Sequence, residues 1–372
     1  MTATPTPTVT RIDKLRQRLG AVEIDALLVT DEVNVRYLSG FTGDSSYLLI
    51  HDGGAIILSD RRYETQIAGE CPNLSAAIRG PSKLMPELVT EVLADFAGRR
   101  IGFEADQVTV ATLRRTRQQL QKAGVQADLV ETDGLVEGLR RIKDAGEIDL
   151  ICQAIDVAER AFRSVTSRLT PRMTERDVAF DLESVMRSLG ASGVSFTPIV
   201  GVQPSGALPH YCPADVPLAD TPTLLVDWGA SFGGYASDLT RTLHQDSAGD
   251  RFRRCYGHVL EAQLAAIDTI RDGVPAKDVD TAARRVLEAA GLGDAFKHGL
   301  GHGIGLQIHE SPRMASVSEE TLASGMVITV EPGVYFEGDF GIRIEDDVLV
   351  TDSGCRVLTR LPKGLDDCGL IL

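Results

Sequence analysis

The chain has 372 residues, of which 43% are hydrophobic and 24% are charged. A single hydrophobic core stops growing below this length, so two domains are expected. An excess of 53 acidic over 38 basic residues gives a net charge of −15, which argues against nucleic acid or an anionic membrane as the main partner. The six cysteines lack C-x-x-C spacing and no apolar run reaches the length of a membrane span, so a cytoplasmic protein with reduced thiols is expected.

The first part of the chain alternates between helical and extended patterns. Apolar residues recur at helical spacing from Val9 to Leu19, and the apolar run Asp25–Thr30 predicts a buried strand. Further strands are predicted at SSYLLI, GAIILSD and RIGFE and near Leu129, and further helices at Tyr63–Ala68, Met85–Phe96 and Thr109–Ala123. Such alternation is typical of an α/β domain with a mixed sheet, which we assign to residues 1–135.

The remainder, residues 136–372, repeats one order of elements. Helices are predicted at Glu147–Leu169 and from an N-cap at Thr174 to Leu189, and extended segments follow them. Two more helices, Asp250–Asp272 and Ala276–Ala290, precede the strand-rich segments VITVEPG, GIRIEDDVLV and CRVLT. This internal duplication predicts an α+β domain in which helices cover one face of an antiparallel sheet.

The segment Leu224–Thr242, LLVDWGASFGGYASDLTRT, places two carboxylates on one predicted β-hairpin. An apolar run ends at Asp227, a glycine-rich loop follows, and a second extended run brings in Asp238. Glycine adopts turn conformations that other residues resist, so the two arms are expected to lie side by side. Facing carboxylates repel unless a proton or a cation lies between them, so the pair is either a metal site or two aspartates that cap turns.

Further candidate ligands follow in the second half of this domain. His302 lies between two glycines in GLGHGIGLQIHE, whose spacing fits neither a G-x-G-x-x-G phosphate loop nor the H-E-x-x-H zinc motif. Glu331 ends a predicted strand, and Glu345 lies two residues after Arg343 on one strand face. Taken singly, each carboxylate is a solvated charge or an ion-pair partner. Together with the two aspartates they supply four negative charges that two divalent cations would balance, and oxygen-rich ligation with one imidazole suits Mn²⁺ or Co²⁺, with Zn²⁺ or Fe²⁺ as alternatives.

The motifs DWGA, SDLTRT, GHGIGLQIHE, EPGVY and RIEDD, in this order, resemble those of the pita-bread metallopeptidases, and within them the proline-specific branch, Xaa-Pro aminopeptidase and Xaa-Pro dipeptidase. The stretch NVRYLSGFTGDSSYLLI resembles the first domain of the same enzymes. The resemblance implies two divalent metal ions, with Mn²⁺ favoured over Co²⁺ or Zn²⁺, and a homodimer with a capping and oligomerisation role for the N-terminal domain. The implied metal ligands are Asp227, Asp238, His302, Glu331 and Glu345.

The resemblance also implies roles for residues around the metals. His210 in ALPHYC and His309 would bind substrate and take part in catalysis, and Glu331 and Arg343 would be catalytic as well. Arg313 and Tyr335 would contact the substrate. The lead-in GVQPSGALPH differs from the glycine- and asparagine-rich segment expected of the family, which leaves the shape of this loop open.

The activity implied by the resemblance is hydrolysis of the bond between an N-terminal residue and a following proline, with a hydroxide bridging two metals as the nucleophile. An Xaa-Pro aminopeptidase is the favoured form, and an Xaa-Pro dipeptidase (prolidase) is the alternative. A creatinase-like hydrolase that works without metal and a catalytically silent binding protein of the same fold are more remote alternatives. The expected partner is a small peptide with proline at its second position.

Overall fold

The computed structural model describes residues 7–372 and divides into two compact units, the first ending at Arg140 and the second spanning Arg141–Leu372. Residues 1–6 of the predicted N-terminal domain lie outside the described residues. The helices of the first unit are α1 (Pro7–Leu19), α2 (Glu32–Ser39), α3 (Glu64–Glu70), α4 (Met85–Leu93), α5 (Val110–Ala123) and α6 (Glu137–Arg140). Its strands are β1 (Ala26–Val29), β2 (Tyr47–His51), β3 (Gly54–Asp60), β4 (Ser75–Arg79), β5 (Arg100–Glu104) and β6 (Asp128–Thr132).

The first unit is built on a six-stranded mixed sheet, as predicted. The strand order is β4-β3-β2-β1-β5-β6, in which β2 pairs antiparallel with both β1 and β3, and the other pairs are parallel. Residues of β1, β2, β3 and β5 form a core with α4 and α5. The short β2–β3 connection fits a hairpin, whereas the parallel pairs need the longer crossovers that the helices provide.

The second unit repeats the predicted order of two helices followed by strands. The helices are α7 (Ala145–Thr166), α8 (Glu175–Ser188), α9 (Gly249–Thr269) and α10 (Ala276–Ala289). The strands of the first half are β7 (Gly193–Val194), β8 (Ile199–Val202), β9 (Thr223–Trp228), β10 (Ala230–Phe232), β11 (Tyr235–Ala236) and β12 (Leu239–His244). Those of the second half are β13 (Gly301–Gly303), β14 (Glu310–Met314), β15 (Val327–Val330), β16 (Gly333–Tyr335), β17 (Gly341–Arg343), β18 (Asp346–Thr351) and β19 (Gly354–Val357).

Antiparallel pairing joins the strands of the second unit. A three-stranded sheet has the order β12-β9-β8 and a five-stranded sheet the order β14-β13-β15-β18-β19, and the bridge between Thr240 and Glu345 links the two. The four long helices contribute to one core with these strands. In that core the ring of Trp228 stacks on Phe162 with 4.2 Å between centroids, and its indole N–H donates to the Ala158 carbonyl. The predicted α+β domain with antiparallel strands and packed helices is confirmed.

Capping residues set where the helices of this unit begin. At α8 the Thr174 side chain accepts from the Asp177 amide, and the Asp177 carboxylate accepts from the Thr174 amide in return. This reciprocal pair satisfies two amide groups at the helix start, and it confirms the N-cap predicted at Thr174. Within residues 7–372, no helix combines the length and the apolar character needed to cross a bilayer.

The hairpin that carries the two aspartates is more elaborate than predicted. Strands β9 and β12 pair antiparallel, with Asp227 opposite Thr240, and Asp238 lies immediately before β12. Between them a second small hairpin, β10–β11, belongs to a different sheet. Gly229 marks the branch point, because a Cβ there would lie 1.8 Å from the carbonyl oxygen of Ser237.

Candidate metal centre

The five predicted metal ligands meet where strands of the two sheets come together. Asp227 lies in β9, Asp238 just before β12, His302 in β13, Glu331 just after β15 and Glu345 just before β18. All five line one cavity of about 740 Å³. Elements from both halves of the second unit are therefore needed to build the site.

His302 presents a free lone pair to the carboxylates. Its Nδ1 lies 3.0 Å from the Gly303 carbonyl oxygen, so this nitrogen carries the proton and donates it. Its Nε2 lies 3.5 Å from Asp238 Oδ2 and 3.6 Å from Glu331 Oε1. Burial lowers the pKa of His302 to about 4, which keeps the imidazole neutral. A neutral imidazole with one nitrogen fixed by a carbonyl is the form that ligates metals.

The glycines beside His302 are required by neighbouring strands. A Cβ at Gly301 would lie 2.3 Å from the Thr329 carbonyl oxygen, and a Cβ at Gly303 would lie 2.3 Å from that of Ser311. The close approach is thus between β13 and the segments on its two sides. The absence of side chains at Gly301 and Gly303 lets the neighbouring strands approach closely around His302. A side chain at either position would push these strands apart.

The carboxylates form a strongly acidic, buried cluster. Burial, and then the charge of Glu345, raise the pKa of Asp238 well above its usual range. Burial raises the pKa of Glu331 to about 8, and burial followed by the charge of Glu331 raises that of Glu345. Asp227 Oδ1 is buried and has no hydrogen-bond partner among the described residues. An acceptor without a donor beside crowded like charges fits a bound cation.

A set of three residues shows the same fit geometrically. Asp238, His302 and Glu345 each offer a ligand atom, and these atoms lie within 4.8 Å of one another. Three carboxylate or imidazole donors at this spacing can share one ion, and the remaining two carboxylates lie in the same cavity. Oxygen donors with one imidazole suit divalent ions such as Mn²⁺, Co²⁺ or Zn²⁺. The residues present therefore fit divalent metal ions.

Arg343 is the buried cation of the site, with 2% of its surface exposed. Its Nη2 donates to Asp227 Oδ2 at 2.5 Å and its Nη1 donates to the Tyr335 hydroxyl at 2.6 Å. It is linked to Glu345 through Thr240, whose hydroxyl accepts from Arg343 Nε at 3.1 Å and donates to Glu345 Oε2 at 2.6 Å. The positive charge of Arg343 thus offsets one of the four negative charges. The charge balance drawn from the sequence counted only the carboxylates and the two divalent cations and left this arginine out.

The other predicted site residues fall into two groups. His210, His309 and Arg313 line the cavity, and the ring of His309 meets His302 edge to face with 4.3 Å between centroids. Tyr335 is buried behind the cavity wall, where its hydroxyl contacts Arg343. The structure therefore brings the two histidines and Arg313 to the cavity, and it places Tyr335 next to the arginine that donates to Asp227.

His298 was missed by the sequence analysis. It lines the cavity, its Nδ1 donates to the Gly299 carbonyl at 2.7 Å, and its Nε2 accepts from the Tyr335 hydroxyl at 2.9 Å. Burial lowers the pKa of His298 to about 4. The available signal was a second histidine four residues before His302 in HGLGHG. Its link to Arg343 through Tyr335 comes only from the fold.

Comparison with known proteins decides the class. Residues 149–352 match the model of metallopeptidase family M24, and residues 11–142 match the creatinase/prolidase N-terminal domain. The chain belongs to metallopeptidase family M24. The predicted resemblance to the pita-bread metallopeptidases, and the expectation of a metallopeptidase, are confirmed.

Several proteins are similar to this M24 metallopeptidase over nearly its whole length. An uncharacterized peptidase, YqhT of Bacillus subtilis, is 35% identical over 355 residues, which cover 95% of this chain and 99% of the relative. A solved Xaa-Pro dipeptidase from Bacillus anthracis is 35% identical with a TM-score of 0.91, covering 96% of this chain and 99% of its own. An X-Pro aminopeptidase from Thermotoga maritima is 34% identical with a TM-score of 0.86, covering 95% and 99%.

Proposed function

We propose that this M24 metallopeptidase cleaves the bond between an N-terminal residue and a following proline. The observation that carries the proposal is the buried cluster of four carboxylates and one neutral imidazole in a cavity whose wall holds three further histidines and two arginines. The similar solved structures named Xaa-Pro dipeptidase and X-Pro aminopeptidase support the preference for proline. Creatinase-like and silent alternatives fit less well, because the whole ligand set is present.

The metal ions would be held by Asp227, Asp238, His302, Glu331 and Glu345. We propose two divalent ions, with Mn²⁺ favoured by the oxygen-rich donors and Co²⁺ or Zn²⁺ as alternatives. Such ions polarise the scissile carbonyl and make water nucleophilic at neutral pH. Arg343 holds Asp227 Oδ2, which leaves the unpartnered Oδ1 for an ion.

Side chains of the cavity would handle protons and developing charge. Glu331 would take the proton of the attacking water and pass it to the proline nitrogen, which has no hydrogen of its own in the peptide. His309 and His210 would donate to the oxygen of the scissile carbonyl as negative charge develops there. Removing a donor of this kind from an enzyme costs about 10²–10³ in rate.

A specific observation favours a second candidate, a strict dipeptidase. Arg313 is exposed and lines the cavity, and within residues 7–372 its guanidinium has no acidic partner. Its backbone is fixed, since its amide donates to Glu320 Oε2 at 2.7 Å. An unpaired guanidinium on a fixed backbone beside the cavity suits the C-terminal carboxylate of an Xaa-Pro dipeptide. The favoured aminopeptidase would instead accept longer peptides.

The test compares substrates at fixed metal. The purified chain is stripped with EDTA, reloaded with Mn²⁺, Co²⁺ or Zn²⁺, and assayed on Xaa-Pro, Xaa-Pro-Xaa and Xaa-Ala peptides. We expect metal-dependent hydrolysis of the proline peptides only, abolished by EDTA and restored by Mn²⁺. A metal-loaded chain that cleaves none of them, or cleaves Xaa-Ala equally, refutes the proposal.

An arginine variant separates the two candidates. For a dipeptidase, Arg313→Met should raise KM for Xaa-Pro about tenfold or more, because a charged hydrogen bond is worth about 1.5–3 kcal/mol. Hydrolysis of Xaa-Pro-Xaa should then be slow in both proteins. An aminopeptidase would cleave the tripeptide well, with little response to the substitution. Arg271→Met, at an exposed arginine outside the cavity, is the matched control.

We also propose that residues 1–135 form the capping and oligomerisation domain of a homodimer. The support is the match of residues 11–142 to the creatinase/prolidase N-terminal domain. Light scattering coupled to size-exclusion chromatography measures the mass in solution, and a monomer at micromolar concentration would contradict the proposal. The cytoplasmic location stays a prediction.

A further inference from the structure

His210 lies on a loop whose shape the sequence left open. Residues 203–213 follow strand β8 and contain only one short 3₁₀ turn, at Ser205–Ala207. Four consecutive residues of this loop, 209–212, line the cavity. The His210 side chain is exposed, and within residues 7–372 no hydrogen bond holds its imidazole. The position of this imidazole therefore depends on how the backbone of the loop is held.

One carboxylate outside the cavity holds that loop. Glu175 is the first residue of α8, and its surface is 0% exposed. Its Oε1 accepts from the Val202 amide at 2.9 Å. Its Oε2 accepts from the Tyr211 hydroxyl at 2.8 Å and from the Ala214 amide at 3.1 Å. The three donors are the residue before the loop, the neighbour of His210, and the residue after the loop.

The carboxylate itself sits on a rigid support. Its helix is capped by the reciprocal Thr174–Asp177 pair. The Glu175 amide donates to the Val216 carbonyl at 3.0 Å, and the next amide, of Arg176, donates to the Ala214 carbonyl at 3.2 Å. The start of α8 is thus tied to the chain that leaves the loop, and a helix N-terminus favours a negative side chain.

Geometry distinguishes this arrangement from ordinary core packing. An apolar side chain would fill the same space, but only a group with two acceptor oxygens can receive the amides at both ends of the loop together with the hydroxyl next to His210. Buried amides without acceptors are costly, so loss of the carboxylate would move the loop rather than leave its donors unpaired.

We propose that Glu175 is a positioning residue for His210, because it closes the 203–213 loop against α8 and so places the imidazole at the substrate cavity. The inference rests on the proposed function, in which His210 binds the substrate. Glu175 does not line the cavity and acts only through the loop. A glutamine at this position keeps the size but offers one acceptor oxygen, and its NH₂ group would face at least one of the amide donors.

The test is a double-mutant cycle in the Mn²⁺-loaded chain. Glu175→Gln should lower kcat/KM for the Xaa-Pro substrate by up to about 10²-fold, the scale of a misplacement of about 1 Å. Glu175→Asp, which keeps both oxygens on a shorter side chain, should recover part of this loss. In a His210→Ala background Glu175→Gln should change kcat/KM less than about twofold, since the group it positions is gone.

A matched control separates positioning from general destabilisation. Glu104 in the first unit is also a buried carboxylate. It accepts two amides, from Thr30 at 2.6 Å and Asp31 at 2.9 Å, and two side-chain donors, the Thr30 hydroxyl at 3.2 Å and Asn34 Nδ2 at 2.7 Å. Glu104→Gln should lower the melting temperature without changing kcat/KM. Hydrogen exchange followed by mass spectrometry gives a readout apart from activity. Glu175→Gln should speed exchange in peptides covering residues 200–216, and Glu104→Gln should not.

The outcomes are distinguishable. Full activity of Glu175→Gln, or a loss that is equally large in the His210→Ala background, overturns the inference. If Glu175→Gln does not fold, the same cycle with Glu175→Asp decides. If wild type hydrolyses no Xaa-Pro peptide, the proposed function fails, while faster exchange at 200–216 in the Glu175→Gln variant still supports the loop-holding role and unchanged exchange overturns it.

Discussion

The crowded carboxylates predict that Asp238→Asn changes the stability of the protein in opposite directions without and with bound metal. Asp238 is 5% exposed, and burial together with the charge of Glu345 opposes its ionisation. Without metal, the folded state therefore holds repelling charges that the unfolded chain keeps apart in water. Asp238→Asn removes one charge at nearly constant size. We expect this variant to be more stable than wild type in EDTA and to be inactive.

The magnitude follows from the spacing. The ligand atoms of Asp238 and Glu345 lie within 4.8 Å, and two unit charges at that distance repel by about 3.5 kcal/mol at an effective dielectric constant of about 20. Proton uptake by the buried carboxyls relieves part of this repulsion, so the expected gain is about 1–3 kcal/mol in the free energy of unfolding. Saturating Mn²⁺ reverses the order of stability, since an ion at about 1,000 times its Kd stabilises wild type by about 4.1 kcal/mol, more than the gain expected of the variant.

The chain offers a convenient probe for this measurement. Its single tryptophan, Trp228, is fully buried at the end of β9 and pairs with Leu239, the residue after Asp238. Urea unfolding followed by tryptophan fluorescence therefore reports on the catalytic unit itself. Each protein is measured in EDTA and again with Mn²⁺, and bound metal is counted after desalting. Wild type should gain stability from Mn²⁺, and the Asp238→Asn variant should gain little.

A second buried aspartate provides the control. Asp280 is fully buried but carries a cation partner, since Arg284 Nε and Nη2 each donate to it at 2.9 Å. Asp280→Asn should therefore lower stability in both EDTA and Mn²⁺. The reasoning is refuted if Asp238→Asn destabilises the metal-free protein as Asp280→Asn does, or if it gains as much from Mn²⁺ as wild type.

Three further substitutions test other parts of the structure. His302→Ala should abolish Xaa-Pro hydrolysis and reduce bound metal while the circular dichroism spectrum stays native, and full activity with added Mn²⁺ would contradict the ligand assignment. Arg343→Lys should lower kcat/KM about 10–100-fold, because lysine cannot hold Asp227 and two hydroxyls at once; an unchanged kcat/KM would remove Arg343 from the mechanism. In the first unit, hydrogen bonds from Arg62 lower the pKa of Asp60 to about 2. A lowered carboxyl pKa stabilises the folded protein at pH values above the unfolded-state pKa, and this stabilisation is lost as the pH falls through the folded-state pKa. Asp60→Asn should therefore cost about 1–2 kcal/mol at pH 7 and progressively less as the pH is lowered toward 2. A cost independent of pH would refute that assignment.

Much of the site was predictable because short sequence motifs surround each of the residues proposed to bind metal. Each proposed metal ligand lies in a recognisable local pattern, such as the apolar run before Asp227 or the glycines around His302. Their order along the chain, with the flanking motifs, indicated the family, and the alternation of helical and extended patterns indicated the two kinds of domain. These features depend on residues close in sequence, where periodicity and turn chemistry act directly.

Only the tertiary structure decided how the supporting residues act. The sequence put Arg343 and Glu345 on one strand face. In the structure Arg343 donates to Asp227 and is linked to Glu345 through Thr240, because of where β12 meets the strands of the second half. The part of Glu175 in holding the His210 loop was invisible in the sequence, because its donors are 27 to 39 residues away. Which residues can bind a metal is indicated by their type and by the residues next to them in the sequence. Which hydrogen bonds hold them depends on strand register and long-range packing, and these are specified only by the whole fold.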